Sequence, residues 1–205
     1  RDRFKGQPPI TIDAPDGFVF HHVNAFEKDS NIILDSIFYD DFPSVGPDEN
    51  FRDINFDNYP EGNLKRSIIN LKGKTSTLET LSSQCCEFAT VNPKFLGLKA
   101  SYSWMACTDK KIGNAPLQAI KKINLNTKEE ISWSAAPSGF VSEPIMVPSK
   151  ASNKEDEGYI FVLLWNGRRR GSDLVILDAK DLKELATYEL PISIPHGLHG
   201  SWVNN

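Results

Sequence analysis

Helical periodicity is what this sequence lacks most clearly: no window repeats apolar residues at i, i+3, i+4 and i+7 through three turns. Bundles and coiled coils are thereby excluded. Long apolar runs are missing too. The longest, YIFVLLW at 159–165, is about a third of what a membrane-crossing helix needs. Positive charge is in deficit, with 23 Lys and Arg against 27 Asp and Glu, a net charge of −4 and a pI near 5.6. Such a surface does not suit phosphate backbones, so no nucleic-acid partner is expected. The one basic run, Arg168 to Arg170, reads as a solvated turn. Cysteine is scarce. Cys85, Cys86 and Cys107 form no even framework and no CxxC pair, and adjacent cysteines in a strand point to opposite faces. Structural free thiols in a reducing compartment are the simplest reading. The opening RDRFKGQPP has neither an initiator methionine nor an apolar signal core, and reads as the interior of a longer chain.

What the sequence does contain is strand signal. GFVFHHVNAFE (17–27), NIILDSIFY (31–39), NLKRSIINL (63–71) and TSTLETLS (75–82) are short and rich in β-branched and aromatic residues. Three segments share a strand–polar turn–strand plan: 64–81, 117–133 and 172–191. Their turns, KGKT, NTKE and AKDLKE, fall roughly 54 residues apart. Between them lie SYSWMAC (101–107) and GYIFVLLW (158–165), continuous enough to be buried inner strands. A repeat of about 50 residues with four strands per unit is the pattern of a propeller blade. The expectation is an all-β chain of about four blades, too few to close a ring. A β-sandwich and a β-helix are the alternatives. The polar insert at 42–63 suits an inter-strand loop on one propeller face, or a lid over a site.

The four histidines fall in two clusters, His21–His22 and His196–His199. Neighbours in a strand face opposite sides, so one of His21 and His22 points inward. Residues three apart share a helix face, but Pro195 and Gly197 exclude a helix, so again one of His196 and His199 points inward. Two imidazoles are too few for a first-row metal site, and further ligands must come from elsewhere. Glu87 and Glu143 are each embedded in apolar strand. A carboxylate there is costly unless paired, and a histidine that binds metal through one nitrogen commonly gives its other N–H to a carboxylate. Solvent-facing positions on half-exposed strands are the competing reading for both.

FHHVNAFE, CEFATVNP, SEPIMVP, EDEGYIFVLLWN, SDLVILDA and IPHGLHGSW occur in this order. Together they resemble the carotenoid cleavage dioxygenase family, over nearly the whole chain. The resemblance implies a seven-bladed β-propeller with one iron(II) on its axis, held by four histidines. Residues 1–205 then correspond to the C-terminal portion of that single domain. Matched motif by motif, it makes His21 and His199 iron ligands, leaving His22 and His196 as neighbours. Glu87 is expected to hold His21, and Glu143 to hold His199. Phe20 and Phe88 are implied to line a substrate tunnel, though both also fit as core residues. Two departures, Ser101-Tyr102 where Arg-Tyr is common and Phe88-Ala89 where Phe-Pro is common, bear on substrate choice. The implied activity is cleavage of a conjugated C=C bond of a carotenoid or apocarotenoid by O2, without an organic cofactor. A retinoid isomerohydrolase and a non-catalytic propeller binding module are the competing readings. The implied location is the cytoplasm or a membrane surface, touched through the absent portion, or a plastid in a photosynthetic eukaryote.

Overall fold

A computed structural model describes residues 9–44, 46, 49–50 and 52–203. Residues 1–8, and with them most of the N-terminal stretch discussed above, lie outside the described residues, as do four positions of the polar insert. Apart from two single 3-10 turns, Phe56–Asn58 and Pro93–Phe95, the regular structure of the described residues is all-β. The strands are β1 (Phe18–Lys28), β2 (Asn31–Tyr39), β3 (Asn63–Asn70), β4 (Thr75–Ser82), β5 (Cys86–Thr90), β6 (Tyr102–Thr108) and β7 (Leu117–Asn124). They continue with β8 (Glu130–Ser134), β9 (Gly139–Val141), β10 (Ile145–Pro148), β11 (Gly158–Asn166), β12 (Gly171–Asp178) and β13 (Glu184–Glu189). No helix among the described residues is long and apolar enough to cross a membrane.

The strands form three antiparallel sheets, β1–β4, β5–β8 and β10–β13, each a meander of sequential neighbours, with β9 also pairing β11. This is the blade unit of a β-propeller. The repeat count anticipates about four sheets, and the described residues form three. The described residues of the segments at 40–62, 109–116, 149–157 and 190–203 form no strand, so the average repeat length overcounts. The three polar turns join β3 to β4, β7 to β8 and β12 to β13. Lys74, Lys128 and Leu182, equivalent positions in those turns, all adopt positive φ (51°, 64° and 59°), as the tight reversal demands of one residue per loop.

The middle sheet explains the continuous apolar run at 101–107. Because side chains alternate along a strand, Met105 and Cys107 pack with Ile37, Leu64 and Ile123 toward the first sheet. Trp104 and Ala106 pack with Ile120, Ile160, Val162 and Leu177 toward the third. Both faces of β6 are therefore core. Each fully buried large apolar side chain here contributes about 1.5–3 kcal/mol. The Trp104 indole N–H also donates to the Ala179 carbonyl at 2.9 Å, tying two sheets together.

Candidate metal centre

His21 and His22 do not simply alternate. The β1–β2 register slips twice, between Val19 and His22 and between His22 and Asn24. Such bulges re-aim side chains and cluster beside functional sites. His21 turns toward β5, while the His22 ring turns to β2 and lies 2.8 Å from the Ser36 hydroxyl. On β5 the register slips again, between Glu87 and Thr90, and Phe88 sits at φ 55°, an unusual conformation for a bulky residue. It brings the Phe88 N–H to 2.7 Å from Glu87 Oε2, to which it donates.

Glu87 is the centre of a hydrogen-bond network. The same Oε2 accepts His21 Nδ1–H at 2.6 Å, and Oε1 accepts the Tyr39 hydroxyl at 3.1 Å. Three donors offset the cost of burying this carboxylate. Burial, and then the neighbouring Glu87 charge, push the Tyr39 hydroxyl well above its ordinary range, which keeps it a donor.

His199 belongs to the segment that follows β13 and lies outside any strand. Glu143, in the link between β9 and β10, accepts the Gly200 N–H on Oε2 at 2.7 Å. His199 Nδ1 is 3.4 Å from the same oxygen, longer than a normal N–H···O bond. Glu143 thus holds the backbone beside His199 more firmly than the ring itself.

The two rings meet. His21 Nε2 and His199 Nε2 are 3.3 Å apart, with the rings edge-to-face at a centroid distance of 5.0 Å. His21 gives its Nδ1 hydrogen to Glu87, so its Nε2 is a bare acceptor in the neutral ring. His199 turns its own Nδ1 toward Glu143. If the His199 proton sits on Nδ1, the two Nε2 atoms are bare acceptors that repel unless a proton or a cation lies between them; if it sits on Nε2, that N–H donates to His21 Nε2. Histidine nitrogens bound about 2.0–2.1 Å from one ion stand about 3–3.4 Å apart in neighbouring coordination positions, so the observed separation fits a shared metal. Among the described residues no group of three or more His, Cys, Asp and Glu side chains is placed to hold one.

A cleft of about 360 Å³ runs past Glu87 and Phe88, which touch the pair, while neither His21 nor His199 lines it. Glu87, Phe88, Phe140, Val141, His196 and Leu198 contribute to its mainly apolar wall. Phe88 also packs against both imidazoles, at 5.2 and 5.9 Å between centroids. His196 faces Phe140 at 6.2 Å. Phe20 is not on this wall; it packs in an aromatic group with Phe18, Phe42 and Tyr39. The Ser101 and Tyr102 N–H groups both donate to Glu155. The three thiols are free and buried. Burial pushes Cys85 up to about 11, Cys107 to about 12 and Cys86 higher still, so all three are thiols at neutral pH. Sequence reading did not single out Tyr39 or the Gly200 N–H. A tyrosine closing the strand NIILDSIFY was the available signal.

The chain is 45% identical over 188 residues to the apocarotenoid-15,15'-oxygenase of Synechocystis, a match covering 91% of this chain and 38% of that protein. It is 30% identical over 207 residues to lignostilbene-alpha,beta-dioxygenase isozyme III of Sphingomonas paucimobilis, covering 91% of this chain and 41% of that one. The crystal structure of cobalt-substituted Synechocystis ACO superposes with a TM-score of 0.92 at 43% identity, over 95% of this chain and 41% of that chain. The chain thus spans about two fifths of the length of the relatives it matches. Residues 1–204 match the family described as retinal pigment epithelial membrane protein, RPE65, and the chain belongs to that family of carotenoid oxygenases.

Proposed function

We propose that these 205 residues are the C-terminal portion of a seven-bladed propeller enzyme, a non-haem iron(II) dioxygenase. It cleaves one conjugated C=C bond of a carotenoid or apocarotenoid with O2 to give two carbonyl products. The observation that carries this reading is the pair of Nε2 atoms facing each other at 3.3 Å, with each ring's Nδ1 turned to a glutamate. His21 and His199 would hold the iron, and two further ligands would come from the part of the relatives' length that this chain does not span. Iron(II), when bound, supplies the electron chemistry that brings dioxygen to a conjugated double bond.

The protein's own contribution is geometric and electrostatic. Glu87 fixes the His21 tautomer, so that Nε2 keeps its lone pair, and Glu87 and Glu143 balance metal charge without occupying coordination positions. Phe88, Phe140, Val141 and Leu198 offer a polyene an apolar wall beside the histidines. That wall excludes water and sets which bond lies next to the site. Similarity to the Synechocystis apocarotenoid oxygenase supports the substrate class, and the cobalt-substituted neighbour supports a metal. The setting we propose is cytoplasmic or at a membrane surface, or plastidic in a photosynthetic eukaryote.

The test uses the protein purified in full. We expect about one iron per chain, its loss in His21→Ala and in His199→Ala, and one 18O atom from 18O2 in each carbonyl product. Products that take no oxygen from O2 would point to an isomerohydrolase. Unchanged metal content in both variants would leave a binding module.

A further inference from the structure

Glu87 has two oxygens, and the contacts already described crowd one of them: His21 Nδ1–H and the Phe88 N–H both donate to Oε2. The other oxygen faces Tyr39, whose hydroxyl donates to Oε1 at 3.1 Å. Tyr39 ends β2, is 7% exposed and reaches the cleft that runs past Glu87. Its ring is clamped. A Cβ on Gly62 would lie 2.6 Å from Tyr39 Cζ and 2.7 Å from its hydroxyl oxygen, so the backbone at 62 passes directly over the phenol and only hydrogen fits there. The Gly62 carbonyl accepts the Cys86 N–H at 2.8 Å, which fixes that backbone to the strand carrying Glu87. On another side the Phe20 ring meets Tyr39 edge-on at 5.5 Å.

We propose that Tyr39 is a positioning residue of the metal centre. By donating to Oε1 it fixes the plane of the Glu87 carboxylate, so that Oε2 stays aimed at His21 Nδ1 and His21 Nε2 stays aimed at the metal. A carboxylate held at one oxygen can swing about its Cγ–Cδ bond. Held at both, it cannot swing without breaking a buried hydrogen bond, which costs more than such a bond contributes when made. Gly62 serves the same end by leaving room for the hydroxyl. This inference rests on the reading of His21 as a metal ligand.

The experiment is Tyr39→Phe in the full-length protein, loaded with Co(II) and titrated with a competing chelator, beside wild type, His21→Ala, Glu87→Gln and the Tyr39→Phe/Glu87→Gln double variant. Outer-shell partners typically cost about 10- to 100-fold in metal affinity. We expect Tyr39→Phe at the lower end of that range, with an altered Co(II) visible spectrum. The loss should largely disappear when Glu87 is already Gln, because Tyr39 acts through Glu87. Gly62→Ala, which displaces the ring without removing the hydroxyl, should shift the spectrum in the same sense. If Tyr39→Phe fails to fold, 3-fluorotyrosine at position 39 keeps the shape and strengthens the donor, and should still move the spectrum. Wild-type affinity and spectrum in Tyr39→Phe, or an unmoved spectrum with 3-fluorotyrosine, with metal lost in His21→Ala, would overturn the positioning role and leave the metal centre standing. Equal losses from Tyr39→Phe in the wild-type and Glu87→Gln backgrounds would also overturn it. Metal retained in His21→Ala would instead defeat the reading beneath it.

Discussion

The two histidines face one another from opposite kinds of structure. His21 stands on a bulged strand inside a sheet, with its side chain 30% exposed, against a Glu87 side chain that is 11% exposed and takes three hydrogen bonds. His199 stands on an irregular segment, with its side chain 58% exposed, beside a Glu143 side chain that is 21% exposed and grips the neighbouring Gly200 N–H. One half of the site is built into the fold. The other is laid over it, held by the Gly200–Glu143 bond, by Ser172 contacts to Ile194 and by the Trp202 ring against Phe161. On the proposed reading, the preformed half would set the tautomer and direction of its ligand before a metal arrives, and the applied half would gain order from the metal.

The sharpest way to break that comparison is to remove the carboxylates one at a time. Glu87→Ala strands the His21, Tyr39 and Phe88 donors in a buried place, so it should lower stability by about 2–4 kcal/mol and metal affinity by about 100-fold. Glu143→Ala strands one backbone donor near the surface, and should cost about 1 kcal/mol or less and about 10-fold in affinity. Denaturant unfolding and chelator competition read both quantities, and equal losses in the two variants would erase the distinction. Metal removal should then act on one half only. Stripping the metal withdraws its binding free energy from the folded state, and hydrogen exchange should rise across residues 195–203 while the β1–β2 and β5–β6 ladders stay protected. A uniform rise would mean that both halves are preformed, or that neither is.

The unequal construction also explains what the sequence disclosed. Strands and turns were legible because alternation and polar hairpins are local, and β1 to β4 fall within a residue or two of the apolar runs that announce them. The number of sheets was not, because loop length is not periodic. Strand alternation anticipates that His21 and His22 face different ways, but which of them turns to β5 depends on register slips at Val19–His22 and His22–Asn24, which arise from pairing with β2 and leave no mark within β1. His196 and His199 lie outside any strand, so the alternation argument does not reach them. Glu87 is 66 positions from His21, and no spacing rule joins them; the family motifs did. Lys121 and Lys122 show the same limit. Read alone, a Lys-Lys pair is solvated, yet both are buried because β7 is covered on both faces. Lys121 is satisfied by Ser82, Gln84 and Glu130, and Lys122 by Asp156 and the Lys180 carbonyl.

The smallest expected effect falls on the histidines that point away. The His22 ring bonds the Ser36 hydroxyl at 2.8 Å, and His196 packs on Phe140 at the cleft wall, so neither turns a nitrogen toward the Nε2 pair. His22→Ala breaks a bond whose partner is the buried Ser36 hydroxyl, and should cost about 1 kcal/mol of stability. His196→Ala removes an exposed ring on an irregular segment, and should fall within about 0.5 kcal/mol of wild type. Both should keep metal affinity unchanged within the precision of the chelator titration, the opposite of His21→Ala and His199→Ala. A His196→Ala variant that loses metal would show that the segment can present either of its histidines. The applied half would then be adaptable as well as exposed, and the contrast with the strand-borne His21 would widen rather than close.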